Sequence, residues 1–435
     1  MEEIATYVPK REFIINRVKG RMVLDSRGNP TIEVEITTIG GGMGRAIAPS
    51  GASKGKWEAV EIRDKDDKRY KGRGVFSAVI IVNSEISYLI KGMDSRWQRR
   101  IDYTLIRHDG TENKSKLGAN TIIATSLAVA KASASTYGIS LFRYIGGLNA
   151  SILPTPMMNI INGGKHAGNR LAIQEFMIVP VGADRFSEAL RIGCEVYYTL
   201  KEYLKEKYGK QATNVGDEGG FSPPMSKTRE ALDALVEAIR RAGYDENDVK
   251  LALDCAASTF YDEKNDIYNI DGKQINGKDL IDFYKDLCNE YPIISIEDPL
   301  HEEDYEGFAT ITSELKNVLI VGDDIFVTNP RRFRKGINMR AANAILVKPN
   351  QIGTLTETLK VVYIAKTNGY KTIISHRSGE TEDTTIADLA VGLSTGLIKT
   401  GAPARGERTA KYNRLLRIED ILGPSARFLG IRAFR

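Results

Sequence analysis

At 435 residues the chain is long for one average domain, and two domains are expected. An apolar fraction of 42% beside 27% charged residues is that of an ordinary globular protein, and no uninterrupted apolar run is long enough to span a membrane. The net charge of +5 is small for this length, with Lys and Arg dispersed among acids, so a nucleic-acid partner is not expected.

The first residues, Met1-Glu-Glu-Ile-Ala-Thr6, lack the basic and apolar regions of a signal peptide. Met22-Val-Leu-Asp-Ser-Arg-Gly-Asn-Pro30 then runs into a segment where Ile32, Val34 and Ile36 alternate with Glu33 and Glu35, which predicts a strand with one wet face. Gly40, Gly41, Gly42 and Gly44 follow; no helix opens behind them, so they read as a hairpin turn rather than a nucleotide loop. A return strand over residues 45–49 leads into Ser50-Gly-Ala-Ser-Lys-Gly-Lys-Trp57. That loop is small, polar and glycine-punctuated, the kind that closes over phosphate. From Glu58 the pattern turns helical, and residues 119–137 predict an Ala-rich helix. Gly146-Gly147 and the stretch to Pro154 and Pro156 mark a boundary, with an α+β domain in residues 1–147 and a second domain in residues 148–435.

The second half opens with Met157-Met-Asn-Ile-Ile-Asn162 and Gly163-Gly-Lys-His-Ala-Gly-Asn169, which lacks the spacing and the hydroxyl of a Walker loop. His166 lies in a glycine-flanked loop with no core face to occupy, and an active-site role is open for it. Gln174-Glu175 opens a strand over residues 176–179. In Asn214-Val-Gly-Asp-Glu-Gly-Gly220 the glycines on both sides of Asp217-Glu218 imply close backbone approach and a fixed carboxylate. Cys194, Cys255 and Cys288 are odd in number and far apart; they read as buried free thiols in a reducing compartment, and the cytoplasm fits.

A recurrent design then dominates. Short apolar runs end in Asp254, Glu297, Asp323, Lys348, His376 and Lys399, spaced by 43, 26, 25, 28 and 23 residues. Most of those gaps hold one helix, one strand and two connections, the unit of a parallel α/β barrel, whose strand ends converge on one mouth. Taken alone, Lys348 could be a lysine snorkelling from a strand terminus. Six charged or ionisable strand ends in succession are hard to explain as packing, because an uncompensated buried charge costs about 3–5 kcal/mol. Three carboxylates around a divalent cation, with cationic groups beside it for an anionic substrate, explain them economically.

The chain resembles the enolase family over essentially its full length. The matching stretches include Asp25-Ser-Arg-Gly-Asn-Pro-Thr31, Pro49-Ser-Gly-Ala-Ser53, Lys116-Leu-Gly-Ala-Asn120, Asn162 to Asn169, Asn214 to Gly220 and Ile296-Glu-Asp-Pro299. They continue with Gly322-Asp-Asp-Ile-Phe-Val-Thr-Asn329, Asn350-Gln-Ile-Gly-Thr354, Ser375-His-Arg-Ser-Gly-Glu-Thr-Glu-Asp383 and Ile398-Lys-Thr-Gly-Ala-Pro-Ala404. The resemblance implies an α/β fold, a β2α2(βα)6 barrel of the (β/α)8 type capped by the N-terminal α+β domain. It also implies reversible dehydration of 2-phosphoglycerate to phosphoenolpyruvate.

By similarity, Asp254, Glu297 and Asp323 hold a first Mg²⁺; a second arrives with the substrate phosphate and takes Ser53 as ligand. Lys348 is the implied general base, its pKa expected to be lowered by the metal ions and other cations beside it. Glu218 is the implied general acid, with Glu175 close by to keep a proton available. His166 and Gln174 match substrate-contacting positions, Arg377 and Ser378 the phosphate clamp with His376 beside them, and Lys399 the partner of the substrate carboxylate. The resemblance carries over a homo-oligomer, dimer or octamer. Lys54, Trp57 and Thr259 depart from the family's pattern. His108 reads as a surface turn and His301 as structural. The competing class of function is an enolase-like scaffold for binding, in RNA processing or as a surface receptor. A third reading is another proton-abstracting lyase on the same barrel.

Overall fold

A computed structural model describes residues 9–51 and 55–435. Strands β1 (Ile15–Leu24), β2 (Pro30–Thr38) and β3 (Met43–Ile47) form an antiparallel meander. The glycine cluster makes the β2–β3 turn, where Gly41 N donates to Thr38 O and Thr38 N to Gly42 O. Helix α1 (Ala119–Thr136) packs on the meander and is buried almost all round, as its run of small residues allows. Gly44 is required there, since a Cβ on it would collide with the Ala128 carbonyl.

Two expectations need correction. Glu33 and Glu35 do not face water: they are 5% and 7% exposed, because β1 and β3 place Arg21 and Arg45 over them. Nor does a helix begin at Glu58; residues 59–69 are irregular, a 3-10 turn follows at Tyr70–Gly72, and the next α-helix is Phe76–Ile81. Segment 55–59 instead lies against the second half of the chain, with Lys56 N donating to Glu302 and Ala59 N to the Gln351 carbonyl.

The second half is a closed barrel of β4 (Thr155–Asn162), β5 (Glu175–Pro180), β6 (Val249–Asp254), β7 (Ile293–Glu297), β8 (Leu319–Gly322), β9 (Ala344–Val347), β10 (Lys371–Ser375) and β11 (Gly396–Lys399). From β6 onward the strands are parallel, as the spacing predicts. Strand β5 alone runs antiparallel to both neighbours. Residues 163–174 return the chain with no α-helix between β4 and β5, and a parallel pairing would need a full crossover. The reversal brings the start of β5, not its end, to the mouth. Helices α2 (Phe186–Tyr208) and α3 (Thr228–Arg241) then carry the chain to β6.

Inside the barrel Met157, Met177, Ala252, Val321, Leu346, Ile373 and Leu397 pack as an apolar plug below the mouth. Lys131 Nζ, 2.8 Å from Asp383 Oδ2, and the bridge between Ser50 and Gly379 tie the N-terminal domain to the mouth. Among the described residues, no helix is long and apolar enough to cross a membrane.

Candidate active site

Register puts the acids at one level. Asp254 pairs with Glu297 on one side and Glu175 on the other, and Asp323 follows directly on β8. Lys399, at the end of β11, reaches into this row: its Nζ lies 2.8 Å from Asp254 Oδ2, 2.8 Å from Glu297 Oε2 and 3.2 Å from Glu175 Oε1. Asp323 is held separately, by Lys348 Nζ at Oδ2 and by Gln351 Nε2 at 3.0 Å from Oδ1. Among the described residues, the potential ligand atoms that come within 4.8 Å of one another in threes belong to two other sets: His166, Glu175 and Glu218, and Asp298, Asp323 and Asp324. The predicted trio thus shares the mouth, with two lysines among its carboxylates. Burial and the charge on Asp254 push the Glu297 carboxyl well above its usual range.

Lys348 lies against Asp323. Burial favours the neutral amine, but without a metal beside it the Asp323 carboxylate overrides burial and holds Lys348 above the ordinary lysine value.

Glu218 stands on the glycine loop between α2 and α3. A Cβ on Gly220 would collide with the Asn162 side chain and one on Gly216 with the His166 carbonyl, so these glycines let the loop press against β4. Asn159 Nδ2 donates to Glu218 Oε2 at 3.0 Å, and Oε1 lies 3.4 Å from His376 Nε2 and 3.7 Å from His166 Nδ1. Glu175 and Glu218 form the expected coupled pair, but the raised member is Glu175, pushed well up by burial and by Glu218. Glu218 goes down: burial pushes it up, but His376 and His166 outweigh it.

Arg408, on α4 (Gly406–Leu422), donates to His376 Nδ1 at 2.6 Å. A guanidinium only donates, so Nδ1 accepts and Nε2 carries the proton toward Glu218. Burial lowers His376 to about 4, so it is neutral near pH 7. Arg408 also donates to the carbonyls of Arg377 and Ser378, both at 2.6 Å, fixing the turn that carries the clamp. The Arg377 guanidinium itself pairs with Glu58.

A partly open cavity of about 20 Å³ joins these parts. Apart from Glu297, Asp323 and Ser53, every residue singled out from the sequence for the site lines it. Ser53 and Lys54 lie outside the described residues. The cavity has room for about one water, so the paired side chains themselves fill the site.

Residues 15–145 match the family described as Enolase, N-terminal domain, and residues 150–435 that described as Enolase, C-terminal TIM barrel domain. The chain is 61% identical to an enolase of Methanocaldococcus jannaschii, over 95% of this chain and 96% of the relative. It is 59% identical to one of Methanococcus aeolicus, over 94% and 96%, and 56% identical to one of Methanosarcina acetivorans, over 96% and 97%. The chain belongs to the enolase family. It is a lyase, as the sequence led one to expect, and the reading as a binding scaffold is not favoured.

Of the departures from the enolase pattern, Trp57 is accounted for. Its Nε1 donates to Glu303 at 2.5 Å and its ring lies 5.0 Å from the Arg332 guanidinium. His108 closes the helix Gln98–Asp109 rather than a turn, beside Glu85, and His301 stacks on Tyr261. Sequence reasoning missed Asn159, Gln351, Arg408 and Glu58. Each touches a site residue across more than 20 positions of chain, and only Gln351 lies in a stretch that carries the resemblance.

Proposed function

We propose that this member of the enolase family interconverts 2-phospho-D-glycerate and phosphoenolpyruvate at the barrel mouth, with Lys348 as general base and Glu218 as general acid. One observation carries the reading. Among the described residues, Glu297 Oε1, Glu175 Oε2, Gln174 Oε1 and His166 Nδ1 are buried without a hydrogen-bond partner, all at this mouth. Each such atom costs about 1–3 kcal/mol unless a ligand completes it.

Asp254, Glu297 and Asp323 fit a Mg²⁺ ion: they are hard oxygen donors at three adjacent strand ends, and one of their oxygens lacks a partner. Ser53 would hold a second Mg²⁺ brought by the substrate. Bound there, the metal supplies positive charge that offsets the charge gathering on the substrate carboxylate as the adjacent proton leaves. Lys348 takes that proton as a neutral amine, which requires Asp323 to release its hold. Glu218 gives the departing hydroxide the proton that the pair shares, which reaches it from Glu175. Lys399 turns from the acids to the substrate carboxylate, Arg377 and Ser378 grip the phosphate beside His376, and His166 and Gln174 contact the substrate. The protein works in the cytoplasm as a homo-oligomer.

The test is the ultraviolet absorbance of the enol product from 2-phosphoglycerate. Turnover is expected with Mg²⁺ and not with a chelator; no turnover by pure protein in excess Mg²⁺ overturns the reading.

A further inference from the structure

The Arg377 guanidinium is held by a residue that does not line the cavity. Nη1 donates to Glu58 Oε2 and Nη2 to Glu58 Oε1, both at 3.0 Å. The side chains are 3% and 8% exposed, so the fork is shielded from water. Arg377 lines the cavity and Glu58 does not, so the carboxylate meets the guanidinium outside the cavity lining. Glu58 is itself fixed: its Oε1 accepts from Gly55 N at 3.1 Å and from Gln351 Nε2 at 3.4 Å. Gln351 Nε2 also lies 3.0 Å from Asp323 Oδ1, and its Oε1 accepts from Thr328 at 2.9 Å. One run of polar contacts therefore joins Arg377 to Asp323.

We propose that Glu58 is a positioning residue for phosphate recognition: its carboxylate fixes the plane of the Arg377 guanidinium through two parallel hydrogen bonds. The fork permits one orientation, whereas a single bond would leave the group free to rotate. In Glu58→Gln the shape is kept, but one acceptor becomes a donor that faces a guanidinium N–H. The inference rests on Arg377 gripping the substrate phosphate.

The test uses the full-length protein with Mg²⁺ and two probes, 2-phosphoglycerate as substrate and inorganic phosphate as competitor. For Glu58→Gln, KM and the inhibition constant of phosphate are expected to rise together by about tenfold or more, the scale of one lost charge-assisted hydrogen bond. The kcat should stay within about threefold, because the clamp binds ground and transition states alike. Glu58→Asp, which keeps the charge, should fall between. In an Arg377→Ala background Glu58→Gln should add less than about twofold, since Glu58 acts only through that partner. Unchanged or lower constants in Glu58→Gln, or a full increment in the Arg377→Ala background, overturn the proposal. Should Glu58→Gln unfold, Glu58→Asp with wild-type constants and thermal midpoint overturns it equally. A wild type that turns over but ignores phosphate would instead remove the phosphate-clamp reading itself.

Discussion

Two groups of buried carboxylates, one on the face of the N-terminal meander and one at the barrel mouth, differ in their partners. On the meander, Glu35 receives Arg21 at 3.1 Å and Arg45 at 3.2 Å, while Glu33 receives Arg21 at 2.5 Å. The arginine side chains stay 36% and 53% exposed, so their charge remains hydrated while it covers the acids. Burial pushes the Glu35 carboxyl up, and the two guanidinium groups more than reverse it. At the mouth, Glu175 and Glu297 are more deeply buried, and both are pushed well above the carboxylate range. There a lysine is shared among three acids, and neighbouring carboxylates add to the cost of burial. Deeper burial together with a shortage of cations separates the mouth acids from those of the meander.

That contrast can be broken, the largest effect first. Lys348→Ala and Glu218→Gln are expected to lower kcat by at least about a hundredfold with the fold intact by circular dichroism. Glu35→Gln should leave turnover unchanged, and a comparable loss there would erase the distinction. Next comes acid. The His376 pKa is depressed to about 4, so an unfolded chain binds its proton below about pH 6.5 while the native one does not. Its contribution is complete above pH 6.5 and is lost on acidification toward pH 4, amounting to about 3 kcal/mol. Urea midpoints across that window should fall less steeply for His376→Gln than for wild type, and parallel slopes would refute the assignment.

Smaller effects sharpen the comparison. Glu35→Gln should cost about 1–2 kcal/mol of stability, a charged hydrogen bond discounted for its half-exposed partners. Glu297→Gln, stripped of metal, should melt at or above the wild-type temperature, because its neutral amide relieves the crowding of acids. Added Mg²⁺ should then raise the melting temperature of wild type and not of this variant, by linkage to binding. A variant that responds to Mg²⁺ as wild type does would remove Glu297 from the metal set.

Much of the site was legible because barrel strand ends announce themselves: an apolar run that stops at a charge places that charge at the mouth. Asp254, Glu297, Lys348 and Lys399 were found in this way, and glycines flanking Glu218 marked a fixed acid. The reversed β5 was not legible from the spacing alone, since Phe176-Met-Ile-Val179 reads alike in either direction. The covered face of β2 was misread because alternation records a side chain's own polarity and not what the neighbouring strand lays over it. Glu58 gave no signal; nothing near it in the chain suggests a partner at Arg377.

The sequence by itself determined the strand–helix units, the charged strand ends and the family, because those rest on local pattern and on motifs in order. Only the tertiary structure decided which charge meets which: Lys348 on Asp323, Glu175 rather than Glu218 as the carboxyl pushed up, Arg377 against Glu58. Pairing energies and pKa shifts depend on distances of a few ångströms between residues far apart in the chain, and those distances exist only once the barrel has closed.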